Sequence, residues 1–548
     1  MALKHVDAVV IGSGAGGGIV AKELACAGMK VVLLERGRWV TPADCRKDDL
    51  RNQRTSVLGA PFGPDDEGNP RVYVDLQGRE HIVYPSRGAY HNNAMCVGGG
   101  TASYGAMAWR FMPQDFKMRS TYGPVEGSTL EDWPISYADL EPFYEKAEWE
   151  LGVSGDDGPN PFKGPRRRPL PMPPLPPNRE YEILKPAALR LGWHPFDIPM
   201  LRNSVPYDGR PPCMRCRWCV GFACEVNAKN GTQNTVIPKA LATGNCELRT
   251  ECVAREILLD HKGRARAVVY HDRDGRIQTQ PANLIVVSCG AIESARLLLN
   301  SKSKWFPNGI GNNHDWVGRN LQGHTYTGAI GLFPFDCYDD LGPGASIAIC
   351  DFNHGNPGLV GGAMLANEFI RLPYQFVQRV QSFVPKSWGK PFKDFMRQWY
   401  RRSIMVQGPV QEMPMWEARV QLDPKVKDRW GIPVARLSGR KHPHTLEVAE
   451  YISQKAELWL REAGAIQTFR RVPGPELSAG QHQAGTCRMG KDPKTSVVDP
   501  YCRVHDVENL YVVDASVHVT NGGFNPVLTI MAIAYWAAHH ILKAHRAS

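Results

Sequence analysis

The densest chemistry in this sequence lies in four cysteines between residues 213 and 224. Cys213, Cys216, Cys219 and Cys224 follow the pattern C-x2-C-x2-C-x4-C. Thiolates at such short spacing can face one inorganic centre. The ferredoxin run is C-x2-C-x2-C-x3-C-P, whereas here the last gap is four residues and Glu225 replaces the proline. The segment therefore predicts a [4Fe–4S] cluster or a [3Fe–4S] cluster held by three thiols, with a structural zinc ion or no metal as alternatives.

A second group of residues near the end of the chain could transfer a proton and a hydride. His482 is a candidate base, because a histidine can take the proton of an alcohol while hydride leaves its carbon. Asn525 could hold the same hydroxyl. Asn525 also suits the N-cap of a helix that has Pro526 at its first position. Such a helix directs its positive end at the preceding residues, which favours a reduced, negatively charged flavin. Taken singly, His482 is one of 17 histidines, and an ordinary structural use is the alternative.

The front of the chain reads as a βαβ unit that binds a dinucleotide. An apolar run at Ala8–Ile11 precedes a glycine turn and a helical pattern at Gly18–Ala27, and a second apolar run at Val31–Leu34 ends at Glu35. The glycines of this turn allow a tight bend and a close approach to a pyrophosphate at the helix start, and Glu35 can accept from a ribose hydroxyl. The motif does not choose FAD over NAD, and a purely structural turn is the alternative. The fingerprint glycines are Gly12, Gly14 and Gly17.

A second glycine cluster lies at residues 96–103. Its backbone amides could approach a large flat ligand such as an isoalloxazine ring, and a flexible loop is the alternative. The candidate residues here are Gly98, Gly99, Thr101 and Ser103.

Composition limits the classes of function. The 548 residues suffice for at least two domains, and 43% hydrophobic with 22% charged residues is ordinary for a globular protein. The net charge of +10 is spread along the chain, so no nucleic-acid partner is expected. The start, Met1–His5, lacks a secretory signal pattern. The apolar segment Val527–Leu542 is expected to be a buried core helix. The ten scattered cysteines are expected to be free thiols.

The elements that must position these residues alternate between α/β and β patterns. Prolines at 159–177 predict an extended connector, residues 246–290 read as β structure with a buried strand at Leu284–Ser288, and residues 291–300 read as a helix. The chain ends with a buried strand at Leu510–Val513 and a helix. A basic, aromatic stretch at 374–402 is either a surface for a membrane or redox partner or a lid whose aromatic side chains form a core.

Taken together, the motifs resemble the glucose–methanol–choline family of FAD oxidoreductases over nearly the whole chain. The resemblance implies non-covalent FAD, because residues 101–104 lack the histidine that some relatives use for a covalent bond. It implies that His482 handles the proton with Asn525 as its partner, that Asp514, Ala515 and Thr529 lie near the flavin, and that Val253 meets the adenine. The matching motifs are Val9–Gly14, Glu35-Arg36-Gly37, Val97–Thr101, Trp109-Arg110, Ser288–Ser294 with Ala291, Val317–Leu321, His482-x-x-Gly485-Thr486, Asp514–Ser516 and Asn525-Pro526-x-x-Thr529.

The resemblance also implies a fold and a division of the chain. The expected class is α/β, α+β overall, with a Rossmann-like FAD-binding domain assembled from residues 1–110, 230–300 and 482–548. A substrate-binding domain on an antiparallel sheet is expected from residues 111–212 and 301–481, with the cysteine-rich segment at 213–229.

The cysteine segment resembles the insertion in bacterial sugar and sugar-acid dehydrogenases of this family. That resemblance implies oxidation of a hydroxyl on a sugar, glycoside, polyol or sugar acid, with electrons leaving through an iron–sulfur cluster to a cytochrome c-type or quinone-linked acceptor. It also implies a small accessory subunit, membrane association only through a partner, and periplasmic residence by co-export, with the cytoplasm as the alternative. The rival functions are an oxidase that uses O2 and a non-catalytic redox subunit.

Overall fold

A computed structural model describes residues 3–45, 47, 62–91, 94–156, 158, 160–384, 388–478 and 480–547. The strands are β1 (Val6–Ile11), β2 (Val31–Leu34), β3 (Arg71–Val74), β4 (Glu80–Val83), β5 (Phe196–Asp197), β6 (Cys246–Arg249), β7 (Val253–Leu259), β8 (Ala265–His271), β9 (Ile277–Val287), β10 (Thr325–Leu332), β11 (Ile347–Ile349), β12 (Leu365–Asn367), β13 (Ser403–Val410), β14 (Arg419–Lys427), β15 (Pro433–Ser438), β16 (Gln467–Arg471) and β17 (Leu510–Val512). The α-helices are α1 (Gly17–Cys26), α2 (Met118–Tyr122), α3 (Tyr137–Leu151), α4 (Arg179–Arg190), α5 (Val236–Ala242), α6 (Ala291–Asn300), α7 (Pro373–Val380), α8 (Gly389–Trp399), α9 (Pro443–Glu462) and α10 (Val527–Ala547).

The first sheet joins segments from both ends and the middle of the chain. Its parallel part runs β6-β2-β1-β9-β17. The long β9 pairs with three strands. Residues 282–287 pair with β1, residues 285–287 also pair with β17, and residues 277–281 pair with β8, which is antiparallel to β7. The parallel strands are apolar because helices cover both faces of such sheets, and all four residues of β2 are buried. The discontinuous sheet places the carboxyl ends of β1, β9 and β17 side by side.

The C-terminal helix α10 belongs to the core beside this sheet. By length and composition alone, residues 527–546 could cross a membrane. In the structure α10 packs against α3 and α1, and Leu528, Met531 and Tyr535 are buried. Burial therefore confirms the prediction of a core helix.

The second sheet is antiparallel and runs β16-β10-β13-β12-β11-β5. Helix α9 packs against β10, β13 and β16, and α4 packs on α9. A third, smaller sheet has the order β14-β15-β3-β4, with β15 and β3 parallel. The predicted combination of a parallel-rich sheet with an antiparallel sheet is confirmed, whereas the exact domain boundaries stay a prediction.

The basic, aromatic stretch at 374–402 folds as α7, α8 and a short turn, and its residues 385–387, with Lys386 among them, lie outside the described residues. Phe376 and Phe395 stack with ring centroids 6.3 Å apart, and Phe383 stacks on Phe469 at 4.9 Å. Phe376, Phe383 and Phe395 pack with Ile330 of β10 into a small core. The packing corresponds to the lid alternative, and Gln375, Gln378 and Arg379 of α7 also line the main cavity.

Candidate active site

One cavity, lined by residues from both ends and the middle of the chain, has a volume of about 710 Å³. Both sheets and both glycine motifs contribute to its wall, and so do the start of α6 and the loop before α10. Of the residues predicted from the sequence, those on the wall are Gly12, Gly14, Glu35, Arg36, Gly99, Thr101, Val253, Ala291, Asp514, Ala515, His482 and Asn525. Those behind the wall are Gly17, Gly98, Ser103 and Thr529.

The fingerprint turn requires glycine because backbone presses on it. Gly12 has φ +95°, and a Cβ there would lie 2.2 Å from the carbonyl oxygen of Ser288. A Cβ on Gly17 would lie 1.9 Å from the carbonyl oxygen of Gly12. A Cβ on Gly14 would meet nothing within 4 Å. The first and third glycines therefore serve packing, whereas the second leaves space open at the cavity wall.

Ser13 ties the two glycine motifs to the end of β2. The Glu35 carboxylate accepts from the Ser13 amide at 3.0 Å, from the Ser13 hydroxyl at 2.5 Å and from the Gly37 amide at 2.8 Å. The Gly98 amide donates to the Ser13 hydroxyl at 3.0 Å, so Gly98 acts from behind the wall. Burial is the main cause that raises the pKa of Glu35 above its ordinary value. These contacts fix residues that are 85 positions apart in the chain.

Asp514 joins the start of α6 to the turn after β17. Its carboxylate accepts from the Gly290 amide at 2.9 Å, the Ser294 hydroxyl at 2.6 Å and the Ser516 amide at 2.8 Å. Thr529, which the family resemblance places near the flavin, instead shares a hydrogen bond of 2.7 Å with the buried Tyr144 hydroxyl. Its described contact is therefore with α3 rather than with the cavity.

His482 is held by a second histidine that sequence reasoning missed. The Nδ1 atoms of His324 and His482 lie 2.8 Å apart. Nε2 of His324 lies 2.8 Å from the carbonyl oxygen of Gly522 and 3.1 Å from that of Asn521. A carbonyl oxygen only accepts, so Nε2 of His324 carries a hydrogen.

The protonation of this pair follows from that arrangement. Burial is the main cause that lowers the pKa of His324, which keeps its ring neutral and leaves the lone pair on Nδ1. Nδ1 of His482 must then donate to His324, and a neutral His482 carries its lone pair on Nε2. His482 also has φ +53°, in the left-handed region that few non-glycine residues adopt. The only sequence signal for His324 is its place just after the Val317–Leu321 motif.

Asn525 faces the site rather than the helix that follows it. Its Nδ2 donates to the Tyr326 hydroxyl at 3.0 Å, and its Oδ1 is buried with no hydrogen-bond partner among the described residues. The expectation that Asn525 caps the helix is therefore wrong, because Tyr326 holds the amide and α10 begins at Val527. The Tyr326 ring lies 6.0 Å from the His482 ring, so both catalytic candidates share one neighbour.

The four cysteines of the 213–224 segment line one small cavity of about 10 Å³ together with Arg202 and Lys229. Within the part of the chain that the structure describes, no three His, Cys, Asp or Glu side chains are arranged to hold a metal ion. The predicted ligands Cys213, Cys216, Cys219 and Cys224 are thus brought together without forming a metal site.

Two buried cations accompany these thiols. Arg202 Nη1 lies 3.7 Å from the sulfur of Cys213 and 3.6 Å from that of Cys219. Lys229 Nζ donates to the carbonyl oxygens of Cys219 and Phe222 at 2.9 and 2.8 Å. A hydrogen bond from Cys216 is the main cause that lowers the pKa of Cys219 to about 5, and the two cations lower it further. The charge of this pocket therefore favours an anionic sulfur group.

The chain is similar to known proteins over nearly its whole length. Residues 85–326 match the N-terminal and residues 414–534 the C-terminal model of the GMC oxidoreductases. The chain is 32% identical to 6'''-hydroxyparomomycin C oxidase from Streptomyces lividus over 99% of its own length and 91% of that protein's. The chain belongs to the GMC oxidoreductase family. It is therefore an FAD-dependent enzyme that acts on CH–OH donors.

Other GMC oxidoreductases extend the comparison. The chain is 28% identical to the gluconate 2-dehydrogenase flavoprotein from Pantoea cypripedii, over 99% of its own length and 94% of that protein's. The fold matches the crystal structure of pyridoxine 4-oxidase from Mesorbium loti with a TM-score of 0.65 and 18% identity, covering 98% of this chain and 99% of the other. These relatives include both oxidases and dehydrogenases.

The residues present fit FAD. The space beside Gly14 admits a close approach of the phosphates, and the α1 start supplies amide N–H groups. The loop at 99–101 and the start of α10 line the same cavity, so one elongated ligand can contact all of them.

Proposed function

We propose that this protein is an FAD-dependent dehydrogenase that oxidises a hydroxyl of a sugar, glycoside, polyol or sugar acid. The observation that carries the proposal is the His324–His482 contact at the wall of the cavity that both glycine motifs line. It gives His482 the tautomer of a general base in a site that fits a flavin.

The protein's part in the reaction follows from this geometry. Nε2 of His482 accepts the hydroxyl proton of the substrate, and Nδ1 keeps its own proton against His324. Nδ2 of Asn525 carries two hydrogens; one donates to the Tyr326 hydroxyl, and the other can donate to the oxygen of the substrate hydroxyl without competing for its proton. FAD, when bound, supplies the hydride acceptor.

The cofactor-binding residues have distinct parts in the proposal. The pyrophosphate of FAD would bind beside Gly14 and the start of α1. Glu35 and Arg36 would contact the ribose, and Val253 would contact the adenine. Gly99, Thr101, Ala291, Asp514 and Ala515 would contact the flavin half, with Gly98 and Ser103 supporting the loop from behind.

We propose that the cysteine segment is the electron exit through an iron–sulfur cluster. The support is charge and proximity: Arg202 and Lys229 form no salt bridge among the described residues, and an anionic cluster would balance them. Val220 and Gly221 of the same segment line the FAD cavity. Electrons would pass to a cytochrome c-type or quinone-linked acceptor, with a small accessory subunit as partner.

The alternative is an oxidase in which the cysteines are structural, and the identity to an oxidase from Streptomyces lividus favours it. Iron and acid-labile sulfide are measured on anaerobically purified protein, and peroxide yield is compared with the reduction of ferricyanide and cytochrome c. Iron with sulfide and little peroxide supports the dehydrogenase. Protein without sulfide that converts O2 to stoichiometric peroxide is the oxidase.

The role of His482 is tested by anaerobic flavin reduction. His482→Ala should slow the reduction by about 100- to 10,000-fold while FAD stays bound, because the proton acceptor is lost. The matched control is His261→Ala, which removes an exposed histidine on the turn between β7 and β8. An unchanged reduction rate in His482→Ala would refute the proposed base.

A further inference from the structure

Arg471 is a cation on the cavity wall whose charge no side chain of the described residues neutralises. It ends β16, lines the cavity with His482 and Asn525, and forms no salt bridge or side-chain hydrogen bond in the part of the chain that the structure describes. Burial is the main cause that lowers its pKa, and the charge of nearby Arg379 lowers it further. A half-buried, unpaired guanidinium is unfavourable unless an anion meets it.

Among the described residues, the carboxylate that acts on Arg471 is Glu368, and it already has other partners. Glu368 pairs with Arg379 at 3.0 Å, accepts from the Phe369 amide at 2.9 Å and also accepts from the Gln407 side chain. The negative charge of Glu368 is therefore balanced by Arg379 and is not available to neutralise Arg471. The substrate end of the cavity, with Glu368, Arg379 and Arg471, therefore carries one net positive charge.

Strand register places Arg471 close to the catalytic pair. Arg471 on β16 and Gln407 on β13 both lie opposite Gly328 on the central β10. Tyr326 lies two residues from Gly328 on the same face, which makes Tyr326 and Arg471 diagonal neighbours, roughly 7–8 Å apart at the backbone. Gly328 has no side chain to separate them. Arg471 and the residues proposed to bind the substrate hydroxyl therefore line the same cavity from neighbouring strands and loops.

We propose that Arg471 is the anion-binding element of the substrate site and that the substrate class is a polyhydroxy acid. The carboxylate of the substrate binds the Arg471 guanidinium, while a hydroxyl several carbons away binds His482 and Asn525. This inference rests on the proposed oxidation of a hydroxyl and narrows the substrate to an anion. Arginine suits the task because its planar fork matches a carboxylate in a bidentate contact. A substrate with a protonated amine in place of the carboxylate would be repelled by the Arg471 guanidinium.

Binding to the holoenzyme is measured by calorimetry with D-gluconate and D-ribonate, against the neutral polyols D-glucitol and ribitol. Arg471→Gln should weaken the binding of both acids by about 10- to 100-fold and change polyol binding less than about 2-fold, because only the charged contact is lost. Arg471→Lys, which keeps the charge but loses the fork, should fall between.

Arg470→Gln is the matched control. It removes the neighbouring arginine on the opposite face of β16, where Arg470 pairs with Glu450 outside the cavity. Flavin content and the melting temperature verify that each variant is folded. Acids that bind no better than polyols, or binding that Arg471→Gln leaves unchanged, would overturn the inference.

Failure of the inference and failure of the proposed function give different results. Flavin reduction by a neutral polyol with no preference for acids retains the dehydrogenase and removes the role of Arg471. Tight acid binding that depends on Arg471 without flavin reduction by any hydroxyl compound retains the anion site and removes the proposed function.

Discussion

His324 and His482 meet through their Nδ1 atoms at 2.8 Å. The two rings are tilted at 77° with centroids 5.0 Å apart, so each ring presents an edge to the other. Because two backbone carbonyls hold the far side of His324, its orientation is fixed by the fold. His324, which is not itself proposed to bind the substrate, thus decides which ring nitrogen of His482 can accept a proton.

We expect His324 to act as a positioning residue for proton transfer. His324→Ala should slow flavin reduction by about 10- to 100-fold, because the tautomer of His482 is no longer selected. His324→Gln should recover part of this loss, since its amide oxygen can accept from Nδ1 of His482. The measurement is the anaerobic reduction rate as a function of pH in both variants.

A merely structural role for His324 would give a different pattern. Both variants would then lose flavin content and thermal stability in parallel, and the pH profile of the remaining activity would match that of the wild type.

The Asn525 amide should matter for the reaction more than the tyrosine that holds it. Asn525→Ala removes the amide N–H that donates to the substrate hydroxyl and should lower the reduction rate by about 10- to 100-fold. Tyr326→Phe removes only the 3.0 Å hydrogen bond and should cost less than about 10-fold. Stopped-flow reduction with a saturating hydroxyl substrate gives both values. Equal losses in the two variants would show that the amide acts only through Tyr326.

Two glycines of the fingerprint should fail in different ways. Gly12→Ala places a Cβ 2.2 Å from the Ser288 carbonyl at a positive φ, so we expect little folded protein. Gly14→Ala meets no protein atom within 4 Å and should fold, yet bind FAD at least about 10-fold more weakly, because the methyl group enters the phosphate space. Soluble yield and the flavin-to-protein ratio distinguish them. Full FAD affinity in Gly14→Ala would contradict the assignment.

The buried His518 should destabilise the fold in acid. Burial is the main cause that lowers its pKa from 6.5 to about 4, and its ring packs 5.2 Å from Trp133. As the pH falls from 6.5 towards 4, His518 binds a proton in the unfolded state but not in the folded state. The free energy of unfolding therefore falls over this pH range. From pH 7.5 to 4.5 the loss in the free energy of unfolding should be on the order of 2 kcal/mol.

The contribution of His518 is isolated by difference. The free energy of unfolding is measured by denaturant titration at both pH values for the wild type, His518→Gln and the exposed control His261→Gln. The wild type should lose more than His518→Gln and as much as the control. A pH dependence shared by all three proteins would place the acid sensitivity elsewhere.

Local patterns in the sequence predicted the elements that carry chemistry. The run Val31–Leu34 and the helix at 291–300 have the observed bounds, because apolar periodicity and glycine turns are local properties. The sequence motif also predicted that Gly12 and Gly17 serve a tight turn and close packing, because these are the usual requirements for glycine in this motif. Pattern could not reveal that Tyr326 holds the Asn525 side chain, because that choice depends on a strand 199 residues away.

The sequence by itself determined the family, the glycine motifs, the candidate base His482 and the cluster of thiols. Only the tertiary structure decided that His324 selects the tautomer of His482, that Thr529 turns to Tyr144, and that Arg471 shares a cavity with the catalytic pair. The physical reason is that motifs record short-range backbone requirements. Hydrogen bonds and charge compensation between distant segments exist only after the two sheets have brought those segments together.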